Sequence, residues 1–441
     1  MTRNATIYLL AAVLSAGCAC ANPFASTVVE YHPGPGQFVN DPNYNVPERC
    51  LGAPIGGMVN LPDNSSIATL GDGGWITLAF SEPVYDDPRN PYGLDFIVFS
   101  NAQYIGVNPN LRWQELAYVE ISQDGDTWYL IKPSILPAEL TGGVDTGESS
   151  TVVSGYAEYS PTLDLPSGSI RTASELYTVP DRQAVLGVSS LIATDTVSGG
   201  GDGMDIAAAV VRSSMGVPAL DSQGHMIPAG INWFRFVRIV DALVGDTSGD
   251  MGEISAEIDA VSDICPASTI GEAKGLSAGS YAVITDAIVT AKIGSDVYIE
   301  SSDRSAAMRM VTSKSVSVGS AVTVTGHISR TDGRFSFTDP MFTATATGGA
   351  APAPLGIAPR SLGSARAYGL RIRTWGKVTS NGTGYCVIED GGSSAKLTWT
   401  ASYDAPAIGA YVSACGICDR EGGSGATIVR LTDPANDITV Y

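Results

Sequence analysis

The chain has 441 residues, of which 50 are glycine and only 16% are charged, with 25 basic against 45 acidic residues and a formal net charge of −20. That length suits two to four domains, and the composition favours strands and turns over helices. Residues 266–441 hold 15 basic and 14 acidic residues, so the acidity lies in the first part of the chain. Such a surface repels nucleic acid and anionic membrane, so nucleic acid is excluded as a partner, and it invites divalent cations as well as aiding solubility.

At the N-terminus, Arg3 precedes an apolar core, Ile7 to Ala16, and Ala19-Cys20-Ala21 offers a small-x-small cleavage site. Residues 1–21 are therefore expected to be a secretory signal peptide. The alternative is a lipoprotein signal, Leu14 to Cys18, with lipid on Cys18. After residue 21 no apolar run is long enough for a transmembrane helix. Secretion would leave Cys50, Cys265, Cys386, Cys415 and Cys418 in an oxidising compartment. Disulfides are expected of Cys386 with Cys415 or Cys418, and of Cys50 with Cys265.

Residues 22–40 read as extended and 41–70 as loop, with sandwich strands starting at Trp75. Gly71 to Trp128 is the organising stretch. In ELAYVEIS, Ala117, Val119 and Ile121 form one apolar face, as in a half-buried strand. DFIVF is nearly all apolar, as in a central strand covered on both sides. QDGD signals a tight hairpin. Further strands are expected over Tyr129–Lys132, Ala184–Val188, Ala207–Val211, Trp233–Val240 and Glu257–Val261. Both faces of WFRFVRIV are mixed, so one of its arginines should meet a carboxylate or sit at an edge. Residues 140–205 are a long polar insertion.

At Pro266 the character changes and a weak repeat of about 90 residues begins. IGEAK (270–274) recurs as LGSAR (362–366), VYIES (297–301) as CVIED (386–390), and GSAVTVTGHI (319–328) as GAYVSACGI (409–417). Each copy holds about five short strands, as in a small closed OB-type barrel. The expected architecture is all-β: a jelly-roll-like β-sandwich over 22–264, OB-like barrels over 266–347 and 359–441, and an Ala/Pro linker at 348–358.

The combination GDGGWITLAFSEPV, GLDFIVFSNA, ELAYVEISQDGDTW, FRFVRIVDA and GEISAEIDAV resembles a group of secreted bacterial cell-surface proteins with an N-terminal jelly-roll-like sandwich. Their resemblance covers roughly residues 30–264; the tail is similar to OB-like repeats of other secreted proteins. It implies extracellular display or adhesion, with no established catalysis.

Several constellations carry possible chemistry. GGGDGMD (199–205), with Asp202 and Asp205, fits one copy of a calcium-binding Gly/Asp repeat. DTSGDMGEISAEID gathers Asp246, Asp250, Glu253, Glu257 and Asp259, a dense acidic run suited to calcium. Asp259 is alternatively a partner for Arg235 or Arg238. A third acidic loop runs from Asp86-Asp87 to Asp95. Trp75, Tyr104, Trp113 and Trp128 are candidate sugar-stacking residues. GLSAG (275–279) matches a nucleophile elbow but precedes a strand rather than a helix, and no triad completes around Ser277. CGIC (415–418) has redox spacing but lies on a β-run that points its sulfurs to opposite faces. In the barrels, Tyr298, Tyr385 and Trp375 are candidate stacking platforms, with Arg366, Arg371, Arg373 and Lys377 near Trp375.

The resulting expectation is a secreted, non-catalytic binding or adhesion protein with a structural calcium, its partner a glycan or a cell-surface protein. The alternatives are a secreted hydrolase using carboxylates such as Asp202 and Glu253, and a structural envelope component. Oligomeric state is left open.

Overall fold

The computed structural model describes residues 22–441 apart from 37, 58–62, 108–111, 135–142, 146–152, 166, 170, 181–197, 215, 243–254, 265, 332 and 424. The signal segment with Cys18, the strand expected over Ala184–Val188, and Asp246, Asp250, Glu253 and Cys265 lie outside the described residues.

The first part of the chain is a β-sandwich. Its strands are β1 (Thr27–His32), β2 (Ala68–Thr69), β3 (Trp75–Tyr85), β4 (Phe96–Ser100), β5 (Gln103–Tyr104), β6 (Arg112–Gln114) and β7 (Ala117–Ser122). There follow β8 (Tyr129–Ile131), β9 (Gly143–Asp145), β10 (Tyr156–Ala157), β11 (Asp202–Met204), β12 (Ala209–Val211), β13 (Trp233–Asp241) and β14 (Glu257–Asp263). One sheet has the order β1-β3-β13-β7-β8-β12, with β10 also paired to β7; the facing sheet is β11-β4-β14-β2, and β5-β6-β9 forms a small third sheet. Strands therefore begin well before Trp75, because β1 and β2 edge the two sheets.

Side-chain alternation explains the layers. Ala117, Val119 and Ile121 of β7 enter the core between the sheets with Ile76, Leu78, Phe96 and Val98. β4 is buried along its whole length: Ile97 and Phe99 point the other way, onto Leu176 and Tyr177. The mixed faces of β13 have a local cause. Its register on β3 shifts between Phe234 and Phe236, so Phe234 and Val237, three residues apart, both face inward. Arg238 on the outer face meets Glu120 at 3.7 Å and Glu30 at 4.0 Å. Arg235 instead donates to the Phe80 carbonyl.

Two closed five-stranded barrels follow. The first has β15 (Tyr281–Ile293), β16 (Asp296–Glu300), β17 (Ala307–Val311), β18 (Ala321–Thr331) and β19 (Arg334–Ala346), closed in the order β15-β16-β17-β19-β18. After β20 (Leu355–Gly356), the second has β21 (Arg371–Gly382), β22 (Tyr385–Asp390), β23 (Ser393–Thr398), β24 (Tyr411–Arg420) and β25 (Thr427–Arg430). It closes through β21–β24 and carries β26 (Ile438–Val440) outside β24. In both, the third and fifth strands are the parallel pair. VYIES and CVIED thus lie on the second strand of their barrels, and GSAVTVTGHI and GAYVSACGI on the fourth.

A buried polar network joins the barrels. Asp419, fully buried, accepts from Tyr298 Oη at 2.6 Å, Arg334 at 2.9 Å and Arg430 at 3.1 Å. Arg430 and Arg309 both pair with Asp296. Tyr298 is consequently enclosed between the barrels rather than offered as a stacking platform.

Cys386 is bridged to neither Cys415 nor Cys418, and the expected Cys50–Cys265 pair lies outside the described residues. Cys50, Cys386, Cys415 and Cys418 are buried free thiols. Cys386 and Cys418 pack in the barrel core, and the Cys418 thiol donates to the Leu362 carbonyl at 3.3 Å. Cys415 lies three residues away on the same strand, so it faces the other side, toward Arg371. The Cys50 thiol donates to the Ile258 carbonyl at 3.2 Å. Burial pushes the Cys386 thiol to about 11 and the Cys418 thiol to about 12, which keeps both protonated and unreactive.

Candidate metal centre

Four chain segments bring carboxylates together at one end of the sandwich. Glu257 opens β14, Glu158 follows β10, Glu115 sits between β6 and β7, and Asp241 closes β13. Glu115, Glu158 and Glu257 are 1%, 0% and 3% exposed, and one carboxylate oxygen from each lies within 4.8 Å of the others. That limit is about the span across a cation whose oxygen ligands stand 2.3–2.6 Å away.

Part of the hydrogen-bonding capacity is used. Glu158 accepts from the Glu257 backbone N–H at 2.6 Å, and Glu257 accepts from the Asn101 amide at 2.7 Å. Asp241 accepts from the N–H groups of Gly73 at 3.0 Å and Ala256 at 3.3 Å, which ties it to both flanking loops. The rest is not: among the described residues, Glu115 Oε1, Glu158 Oε1 and Asn101 Oδ1 have no hydrogen-bond partner. Buried acceptors of this kind carry a large desolvation cost unless something satisfies them.

The electrostatics agree. Burial, then repulsion from Glu257 and Asp241, holds Glu115 well above the usual carboxylate range. Burial, then repulsion from Glu115, Glu257 and Asp241, does the same to Glu158. Burial raises Glu257 to about 7, against hydrogen bonds from Asn101 and Glu115. Carboxylates so close cannot all ionise without a compensating charge. Every donor is oxygen, the set a hard cation such as Ca2+ prefers. Glu158 also holds a left-handed backbone, φ 63°, without being glycine.

The residues expected to bind metal are placed elsewhere. Asp202 is buried and accepts from the Tyr159 N–H at 2.9 Å. Asp205 caps a short 3₁₀ turn through the Ala207 N–H. Asp259 meets neither Arg235 nor Arg238; it accepts from the Ile55 N–H at 3.0 Å. These three do not converge. In the third acidic loop, Asp95 accepts from the Ile206 N–H and the Asn90 amide, and burial raises it to about 6, while Asp87 pairs with Arg89. Glu257 alone of the centre belongs to the acidic run noted in the sequence. Glu115 and Glu158 were missed; the available signal was a single charge inside each of the otherwise uncharged runs WQELAYV (113–119) and GYAEYS (155–160).

The aromatic candidates are engaged with guanidinium groups. Arg238 stands between Trp75, 4.6 Å away, and Trp128, 3.8 Å away. Buried Tyr104 shares Arg112 with Tyr159. Trp113, on β6, packs against the cluster of Leu116, Tyr156 and Tyr159. A cleft of about 510 Å3 between the sandwich loop 88–93 and the first barrel contains none of the clustered carboxylates.

No family model matches the chain, and no curated protein matches it. Among solved structures it aligns with the telomere capping protein Ten1 from Saccharomyces pombe, at 18% identity over 20% of this chain and 81% of that one, with a TM-score of 0.16. A murine DNA-binding protein bound to double-stranded DNA aligns at 6% identity over 37% and 97%, TM-score 0.22. The Ifi202 HINa domain in complex with a 20-bp duplex aligns at 10% identity over 38% and 97%, TM-score 0.21. The exclusion of nucleic acid as a partner, drawn from the chain's acidity, is thereby corrected: structures solved on DNA stand among those that align with it. At these scores the alignments give no reading of what this chain itself binds.

Proposed function

We propose that the chain is a secreted, non-catalytic binding protein whose sandwich is locked by a buried calcium ion. The observation that carries this is the convergence of Glu115, Glu158 and Glu257 from three distant segments onto one buried point, with two of their oxygens unpartnered among the described residues. Asn101 Oδ1 and Asp241 stand beside it as a neutral and an acidic supplement. Catalysis by carboxylates asks for a substrate path to the acid and base. Here the three glutamates are at most 3% exposed, which supports a structural role over hydrolysis. No helix among the described residues is long and apolar enough to cross a membrane.

Calcium titration of the metal-stripped chain by calorimetry tests the reading. One site per chain is expected, abolished in Glu158→Gln. Heat that is absent, or that survives in that variant, would remove the centre from the account.

A further inference from the structure

The second barrel carries an exposed strip of a different character. On β21, Ile372, Thr374, Gly376 and Val378 are buried, while Arg373, Trp375 and Lys377 point outward and Arg371 is half-buried at the near end. The register places Ser413 opposite Trp375 and Tyr411 opposite Lys377 on β24. Trp375, Tyr411 and Tyr441 are 42%, 60% and 78% exposed. Tyr441 leans over β24, its hydroxyl 3.3 Å from Ser413 Oγ. Two acids of this barrel are paired away from the strip, Asp419 with Arg334 and Arg430 and Glu421 with Lys396, and Asp437 accepts from the N–H groups of Thr432 and Asp433. Glu389 faces Lys377 across the β21–β22 pair without an ion pair between them among the described residues. Arg373 reaches Ser413 Oγ at 3.5 Å and the Lys377 ammonium stands 5.9 Å from the Tyr411 ring, but neither is in an ion pair among the described residues.

We propose that this strip binds single-stranded nucleic acid. Residues two apart on a strand stand about 6.8 Å apart, so Arg373 and Lys377 flank the indole of Trp375 at about 13 Å from one another. Cations on both sides of an exposed ring match a ligand with a flat base between phosphates. Bases in a duplex are already stacked and offer no face to the indole, and a flat sheet does not enter a groove as a helix does. The strip lies on the first and fourth strands of the barrel, away from the second- and third-strand face that such barrels ordinarily use. It is also remote in charge from the acidic first part of the chain, so the site is local rather than a property of the whole surface. The strip lies in the second barrel and shares no residue with the carboxylate centre of the sandwich.

Fluorescence anisotropy of the full chain with a labelled 12-nucleotide oligo(dT) tests it, in a salt series and with duplex DNA and polygalacturonate as competitors. Saturable binding that weakens with salt is expected, with quenching of tryptophan emission. Trp375→Ala and the double variant Arg373→Ala/Lys377→Ala should each weaken it by roughly tenfold or more. Lys396→Ala, whose ammonium pairs with Glu421 away from the strip, should leave it unchanged. Absence of binding at low salt, equal binding by the strip variants, or preference for duplex or polygalacturonate would each overturn the proposal. Circular dichroism melts of the variants separate loss of the strip from loss of the fold.

Discussion

Glu158 combines an unfavourable backbone conformation with complete burial of an acid. A left-handed non-glycine residue costs about 1–2 kcal/mol, and the buried carboxylate costs more if charged. Both are explained if its side chain serves a cation. Glu158→Gln keeps the size and the acceptor for the Glu257 N–H. In EDTA this variant should unfold within about 1 kcal/mol of the parent, measured by urea denaturation, because burial and the neighbouring carboxylates favour the protonated form of the parent's Glu158. Glu300 gives a separate titration. It is fully buried, accepts from the Arg371 N–H at 3.0 Å, and burial raises it from 4.5 to about 7. A carboxyl that binds its proton more tightly when folded favours the fold below its unfolded value, and that advantage disappears as pH rises from 4.5 through 7. The loss amounts to at most about 3 kcal/mol. Urea midpoints at pH 5 and pH 8 should therefore fall with pH in the parent and fall less in Glu300→Gln; equal slopes would contradict the assignment. Neither glutamate was legible in the sequence. Their neighbours come from residues distant along the chain, and periodicity reports only what lies within one element.

Elements were more legible than their partners. The apolar run DFIVF specifies burial directly, and β4 is covered as that pattern requires; β7 turns Ala117, Val119 and Ile121 to the core as its alternation predicts, but Glu120 and Ser122 on its other face are buried as well. QDGD turns where expected: Gly125 takes φ 85°, and the Asp124 carboxylate accepts from the Asp126 and Thr127 N–H groups. β13 was harder, since its bulge breaks the period of two on which face assignment depends. The cysteines misled for a similar reason: spacing of three on a strand sends the side chains of Cys415 and Cys418 to opposite faces, and sequence cannot show that Cys386 merely packs beside one of them. At the barrel junction, three arginines converge on two carboxylates, with Asp419 at the centre. Removing the acid leaves Arg334 without its counter-charge while Arg430 and Arg309 keep Asp296, a change that costs up to about 3–5 kcal/mol. Asp419→Asn should lower the urea midpoint of both barrels together; Tyr298→Phe, which deletes the hydrogen bond to Asp419 and the one accepted from Arg430, should cost about 1–3 kcal/mol. Loss confined to the second barrel would show that the network does not couple them.

For the whole molecule, the repeat read from 270–417 corresponds to two barrels of the same strand order, because a repeated sequence buries the same alternate positions twice. The charge asymmetry was equally plain, but its meaning was not. Several acidic residues of the first part cap turns or pair locally, as Asp124, Asp205 and Asp87 do. Among the buried ones, Asp95, Asp202 and Asp259 accept backbone N–H groups, whereas Glu115, Glu158 and Glu257 converge on one point beside β14, where the proposed cation would hold the sandwich together. Thermal unfolding of the full chain in excess calcium and in EDTA measures this directly. A ligand at one hundred times its dissociation constant stabilises by about 2.7 kcal/mol, which for a domain of this size corresponds to roughly 5–10 °C. A rise of that order in the parent, absent in Glu158→Gln, is the predicted result; equal melting with and without calcium would contradict the buried cation.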